Sequence, residues 1–85
     1  MPLHFATDVS TAETDYGTVL LDQRSGRYWE LNPTGTLVVR ALLHGAEEAD
    51  AVDAVVAEFD IDRAQAARDV ATLVENLRTS GLVTA

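Results

Sequence analysis

Apolar and polar positions divide this chain in two. Up to residue 31 they alternate or cluster over short runs, as in strands; from 33 to 80 they recur every three or four positions, as in helices. Leu3 to Val9 predicts a weak first strand. Thr18-Val19-Leu20-Leu21, β-branched and apolar, predicts a stronger one. Gln23-Arg24-Ser25-Gly26 reads as a turn, with Gly26 free to take a positive φ, and Arg27-Tyr28-Trp29-Glu30-Leu31 returns as a strand. These two strands make a β-hairpin. Alternation sets Trp29 and Leu31 on one face and Tyr28 and Glu30 on the other. A hairpin alone is marginal in water, so it must pack on something.

The helical half begins at a clear signal. Asn32 is a capping residue, Pro33 suits the first helical position, and Leu37, Val38, Ala41 and Leu42 form an apolar stripe that Gly45 stops. A second helix is expected from Asp50, as cap, to Phe59, with Val52, Val55, Val56 and Phe59 on one side. A third starts at Asp62 with Gln65 completing a capping box; Ala66, Val70, Leu73, Val74 and Leu77 line one side and Gly81 ends it. Leu82-Val83 is placed to pack back on the core. The expected fold is α+β: a small winged-helix-like domain spanning 1–85, with a three-stranded antiparallel sheet within 3–31 followed by three helices within 33–80.

Composition narrows the function classes. The chain has 85 residues, of which 47% are apolar, enough for one modest core. No cysteine is present, so disulfides, thiolate zinc sites and cysteine nucleophiles are excluded, which suits a cytoplasmic protein. The first residues have neither the basic nor the apolar region of a signal peptide, and no run approaches the ~20 apolar residues of a membrane span. The net charge is −8, and all six basic residues are arginines. Such a domain repels phosphate backbones, which argues against nucleic acid, and favours partners that carry basic residues.

Catalytic chemistry is sparse. His44 falls in the last turn of the first helix, where a cation suits the dipole, and His4 has no ligand pattern around it. The carboxylates fall at caps and solvent-facing helix positions. There is no glycine-rich phosphate loop and no nucleophile motif. A carrier protein needs a serine opening a helix, and Ser10, Ser25 and Ser80 do not supply one. A DNA-reading winged helix needs a basic recognition helix, yet Arg63, Arg68 and Arg78 alternate with Asp62, Asp69 and Glu75. The expectation is a non-enzymatic module without cofactor or metal. Tyr28 and Trp29 read most simply as ordinary core aromatics. Nothing after Leu31, however, resembles a strand able to pair with the far side of 27–31. That edge would accept an extended peptide, with the third helix offering side-chain pockets.

The runs Gly17-Thr18-Val19-Leu20-Leu21-Asp22 and Ser25-Gly26-Arg27-Tyr28-Trp29-Glu30-Leu31-Asn32-Pro33-Thr34-Gly35 resemble the PqqD family, the RiPP recognition elements. So does the tail Asp69-Val70, Leu73, Leu77 and Gly81-Leu82-Val83. The nearest likeness is to the stand-alone members of lasso-peptide pathways. The resemblance spans about residues 3–83 and is most specific at the junction from strand to helix. It implies three strands and three helices, and a chaperone that takes the leader of a ribosomally made precursor peptide as an added strand. Carried onto this chain, the docking strand is Arg27, Tyr28, Trp29, Glu30 and Leu31. The groove wall is Ala66, Asp69, Val70, Leu73, Val74 and Leu77. The implied partners are the precursor leader, the leader peptidase and the ATP-dependent cyclase. A reading from another class is a winged-helix scaffold or regulatory domain that binds a folded protein.

Overall fold

A computed structural model describes residues 3–84. Along it run β1 (His4–Phe5), β2 (Val9–Thr14), β3 (Gly17–Asp22), β4 (Arg27–Leu31), α1 (Pro33–Leu43), α2 (Glu48–Phe59), α3 (Arg63–Thr79) and β5 (Val83–Thr84). β2, β3 and β4 form an antiparallel meander in that order, and β1 pairs antiparallel with β5. The expected small α+β domain, with a three-stranded antiparallel sheet and three helices, is therefore present.

The first strand differs from expectation. Of Leu3–Val9, only His4 and Phe5 are strand, and they pair with Thr84 and Val83 from the other end of the chain. The first strand of the meander is instead β2, Val-Ser-Thr-Ala-Glu-Thr. Its residues are largely exposed, so no apolar alternation marks it; main-chain pairing from Val9↔Asp22 to Thr14↔Gly17 holds it on β3. Gly17 sits at the start of β3 with φ +142°, and a Cβ there would lie 1.9 Å from the Leu31 carbonyl oxygen. Only glycine lets the sheet close so tightly on the β4–α1 junction.

The β3–β4 turn is organised by Asp22, whose side chain is largely buried. It accepts hydrogen bonds from the Arg24 N–H (3.0 Å) and the Ser25 hydroxyl (3.2 Å), with the Arg24 guanidinium at 3.4 Å. Burial by itself pushes this carboxyl up, but the hydrogen bonds and the Arg24 charge outweigh it and hold the pKa below the ordinary value.

The helices cap nearly as the sequence predicts. Asn32 accepts from the Gly35 N–H at 2.8 Å, with Pro33 in the first turn. His44 caps the far end, its Nδ1 2.8 Å from the Arg40 carbonyl. α2 begins earlier than expected, because Glu47 is its cap; Asp50, expected as the cap, reaches back to the Glu47 N–H at 3.1 Å. At α3, Asp62 accepts from the Gln65 N–H at 3.3 Å, but the Gln65 side chain donates to Asp69 at 2.8 Å instead of closing a capping box.

One core joins both layers. Leu20 and Leu31 of the sheet meet Val38, Val39 and Leu42 of α1, Ala51, Val52 and Val55 of α2, and Ala66, Val70, Val74 and Leu77 of α3. Leu82 and Val83 pack back onto it as expected, both buried, and Ala6 N–H donates to the Leu82 carbonyl at 2.9 Å. Phe59, assigned to the buried stripe of α2, is more than a third exposed at that helix's end. No described helix is long and apolar enough to cross a membrane.

Candidate functional site: an open strand edge beside helix three

β4 is an outer strand of its sheet, paired on one side with β3 in the register Thr18↔Leu31, Leu20↔Trp29 and Asp22↔Arg27. Which of its main-chain groups point outward follows from parity. Gln23 N–H donates to the Asp8 carbonyl at 2.9 Å, one step beyond the Val9↔Asp22 pair. Odd-numbered residues of β3 therefore bond to β2, and Thr18, Leu20 and Asp22 turn their groups toward β4. The Asp22 carbonyl confirms this by accepting from Gly26 N–H at 2.9 Å. On β4, Arg27, Trp29 and Leu31 are consequently bonded to β3. The N–H and C=O groups of Tyr28 and Glu30 face away from the sheet.

That edge opens onto a groove of about 690 Å³, walled on the other side by α3. The volume falls in the range of ligand clefts, roughly 300–1,000 Å³. Leu31, Val38, Val55, Ile61, Val70 and Leu73 give it an apolar floor, and Asn32, Thr34, Thr72 and Asn76 give it polar edges. Its ionisable lining residues, Glu30 and Asp69, are both acidic. Asp60 takes the left-handed conformation at the end of α2 (φ 51°), which aspartate tolerates, and so turns Ile61 toward this groove.

Of the residues expected at the site, Glu30, Leu31, Ala66, Asp69, Val70 and Leu73 line the groove. Arg27, Tyr28 and Trp29 lie farther along the strand; Tyr28 is 65% exposed and so is not the core aromatic its type suggested, because alternation sets it on the outer face of the sheet. The Arg27 guanidinium stands 5.1 Å from the centre of the half-buried Trp29 ring. Val74 and Leu77 do not line the groove. They are buried in the core, as Ala66 and Val70 are, but on the part of α3 that packs away from the groove. Sequence reasoning missed Val38, Val55, Ile61, Thr72 and Asn76. The Asn32-Pro33-Thr34-Gly35 junction was a usable signal for the groove's near end. Helix periodicity marked Val38 and Val55 only as core.

A match to the family model of PqqD, coenzyme PQQ synthesis protein D, covers residues 17–83. The chain belongs to the PqqD family. That match takes in the meander from β3 and the three described helices, and ends at the first residue of β5. This PqqD-family chain is also similar in structure to a lasso peptide synthetase B1 complexed with the leader peptide, with a TM-score of 0.91 and 41% identity over 100% of each chain. A second similar structure is TbiB1 in complex with the TbiA(beta) leader peptide, with a TM-score of 0.84 and 28% identity over 96% of this chain and 95% of that one. No curated protein gives a significant match. Among the described residues, no group of three His, Cys, Asp or Glu side chains is placed to hold a metal ion.

Proposed function

We propose that this chain is a non-catalytic recognition element that binds the leader segment of a ribosomally synthesised precursor peptide. The leader adds as a strand to β4 and lodges alternate side chains against α3. The chain then delivers it to the leader peptidase and ATP-dependent cyclase of a lasso-peptide pathway. The observation that carries the reading is the outward main chain of Tyr28 and Glu30 at the lip of an apolar groove. The full-length likeness to a protein seen with its leader peptide supports it.

The physical logic fits a disordered ligand. A free leader loses entropy when it orders, and a preformed edge recovers much of that through main-chain hydrogen bonds with little demand on sequence. Selection then rests on the pockets. The rival reading, a scaffold for a folded protein, has no comparable observation in its favour, since a groove beside an open strand edge is the geometry that accepts an extended peptide.

Titration of a labelled leader peptide into the purified chain tests the binding step, and saturable binding is the expected result. Reconstitution with the peptidase tests delivery: adding the chain should accelerate leader removal, while the chain alone, with or without ATP and divalent metal, should leave the precursor mass unchanged. Absence of binding, or turnover by the chain alone, overturns the reading.

A further inference from the structure

The two residues that offer outward main-chain groups also carry side chains away from the core. Alternation puts Tyr28 and Glu30 on the outer face of the sheet, opposite the face that Trp29 and Leu31 turn inward. On that outer face Tyr28 stands across from Leu21, which is itself 38% exposed, and Glu30 stands across from Val19. Antiparallel sheets with one solvated face normally carry polar residues there. Here the row Leu21–Tyr28 runs apolar to the open edge, and among the described residues no further strand covers it.

Glu30 ends the neighbouring row with a carboxylate that has no ion-pair partner among the described residues. Five of the six arginines are engaged elsewhere, and Arg78, in the last turn of α3, forms no ion pair with Glu30. Arg24 lies with Asp8 and Asp22, Arg40 with Glu13, and Arg63 with Asp53. Arg68 donates to Gln65, and Arg27, the basic residue of the same strand, is on the inward face over Trp29. Any cation that complements Glu30 at this edge therefore comes most directly from the ligand.

We propose that Tyr28 and Glu30, the latter at the groove's lip, form a second, outer-face reader of the leader beside the apolar floor of the groove. It selects a basic side chain level with Glu30 and an apolar or aromatic side chain two residues away, level with Tyr28. The inference rests on the reading that β4 accepts a leader strand. It does not depend on that strand's direction. In either direction, residues level with Tyr28 and Glu30 point to the outer face, and those level with Trp29 and Leu31 point into the groove. The leader is thus read on both faces at once. Alternate residues fill the apolar groove, and the residues between them answer a ring and a negative charge. A cross-strand pair of this kind contributes enough to change affinity by about two- to fivefold.

The test uses the whole chain and a displayed library of random 15-residue peptides, selected for binding to the wild type and to Glu30→Lys. Glu30 is exposed, so the variant should fold, which its thermal midpoint verifies. The expected result on the wild type is an alternating pattern of apolar anchors, with lysine or arginine enriched at one intervening position and an apolar residue two positions from it. On Glu30→Lys the enriched charge should turn acidic at that position while the anchors stay. Synthetic peptides with Lys or Glu at that position, titrated against both proteins, should show the charge swap restoring affinity. Alternating anchors with no charge preference, or a preference that Glu30→Lys leaves unchanged, overturn the outer-face reader and leave the leader-binding reading standing. No enriched peptide at all overturns both.

Discussion

Replacing Tyr28 with proline removes one outward N–H from β4 and leaves the β3–β4 hydrogen bonds in place, because those belong to Arg27, Trp29 and Leu31. Proline is tolerated at a sheet edge when its missing donor would face solvent. The free domain should therefore stay folded, with a modest fall in thermal midpoint from the imposed φ. The complex should suffer far more. It loses a main-chain hydrogen bond and leaves the leader's carbonyl unpaired against the ring, together costing about 1–3 kcal/mol, or about five- to 150-fold in Kd. Tyr28→Ala serves as the control, since it removes the side chain but keeps the donor. Trp29→Pro is the opposite case: it breaks the pairing with Leu20 and disturbs a half-buried ring, so it should unfold the hairpin. The assay is a fluorescence-anisotropy titration of a labelled leader against each variant, with thermal melts alongside. If Tyr28→Pro binds as tightly as Tyr28→Ala, the leader does not bond to this edge and the parity reasoning fails.

Three further outcomes are expected. Asp69→Ala should leave the melting temperature nearly unchanged, because its exposed hydrogen bond from Gln65 is worth only about 0.3–0.5 kcal/mol, while weakening leader binding measurably by titration. Gly17→Ala should destabilise the fold by about 2–3 kcal/mol, lowering the midpoint by roughly 10–20 °C in a thermal melt, since the methyl group meets the Leu31 carbonyl and φ is positive. Asp22 has a lowered pKa in the folded state, so it stabilises at neutral pH; that contribution is lost as pH falls through the ordinary aspartate range to the lowered value, and acid melts of Asp22→Asn should lack that part of the decline.

The hairpin from Gly17 to Leu31 was legible because a β-branched apolar run, a turn and an aromatic strand follow one another with correct alternation. Trp29 and Leu31 face inward as that alternation requires. The helices were legible for a similar reason, their stripes having a single periodicity and their ends carrying capping residues. β2 was not legible, because an edge strand with exposed side chains needs only its main chain to pair. Nor was the β1–β5 pairing, which joins the two ends of the chain through contacts no local pattern encodes. At the site, periodicity placed Ala66, Val70 and Leu73 on one side of α3 but did not separate groove from core. Val74 and Leu77 share that stripe and are as buried as Ala66 and Val70, yet only the latter pair lines the groove, a distinction set by how α3 packs against its neighbours. Ile61 reached the groove through the left-handed turn at Asp60, a conformation that no apolar pattern announces.

Amide hydrogen exchange on β4, measured with and without a saturating leader peptide, tests strand addition most directly. In the free chain the outward amides of Tyr28 and Glu30 should exchange fast, and those of Trp29 and Leu31, bonded to β3, should exchange slowly. Leader binding should slow Tyr28 and Glu30 strongly, with a smaller slowing along the groove side of α3 from Asp69 to Asn76. Unchanged exchange at Tyr28 and Glu30 under a peptide shown to be bound would contradict strand addition and place the ligand elsewhere.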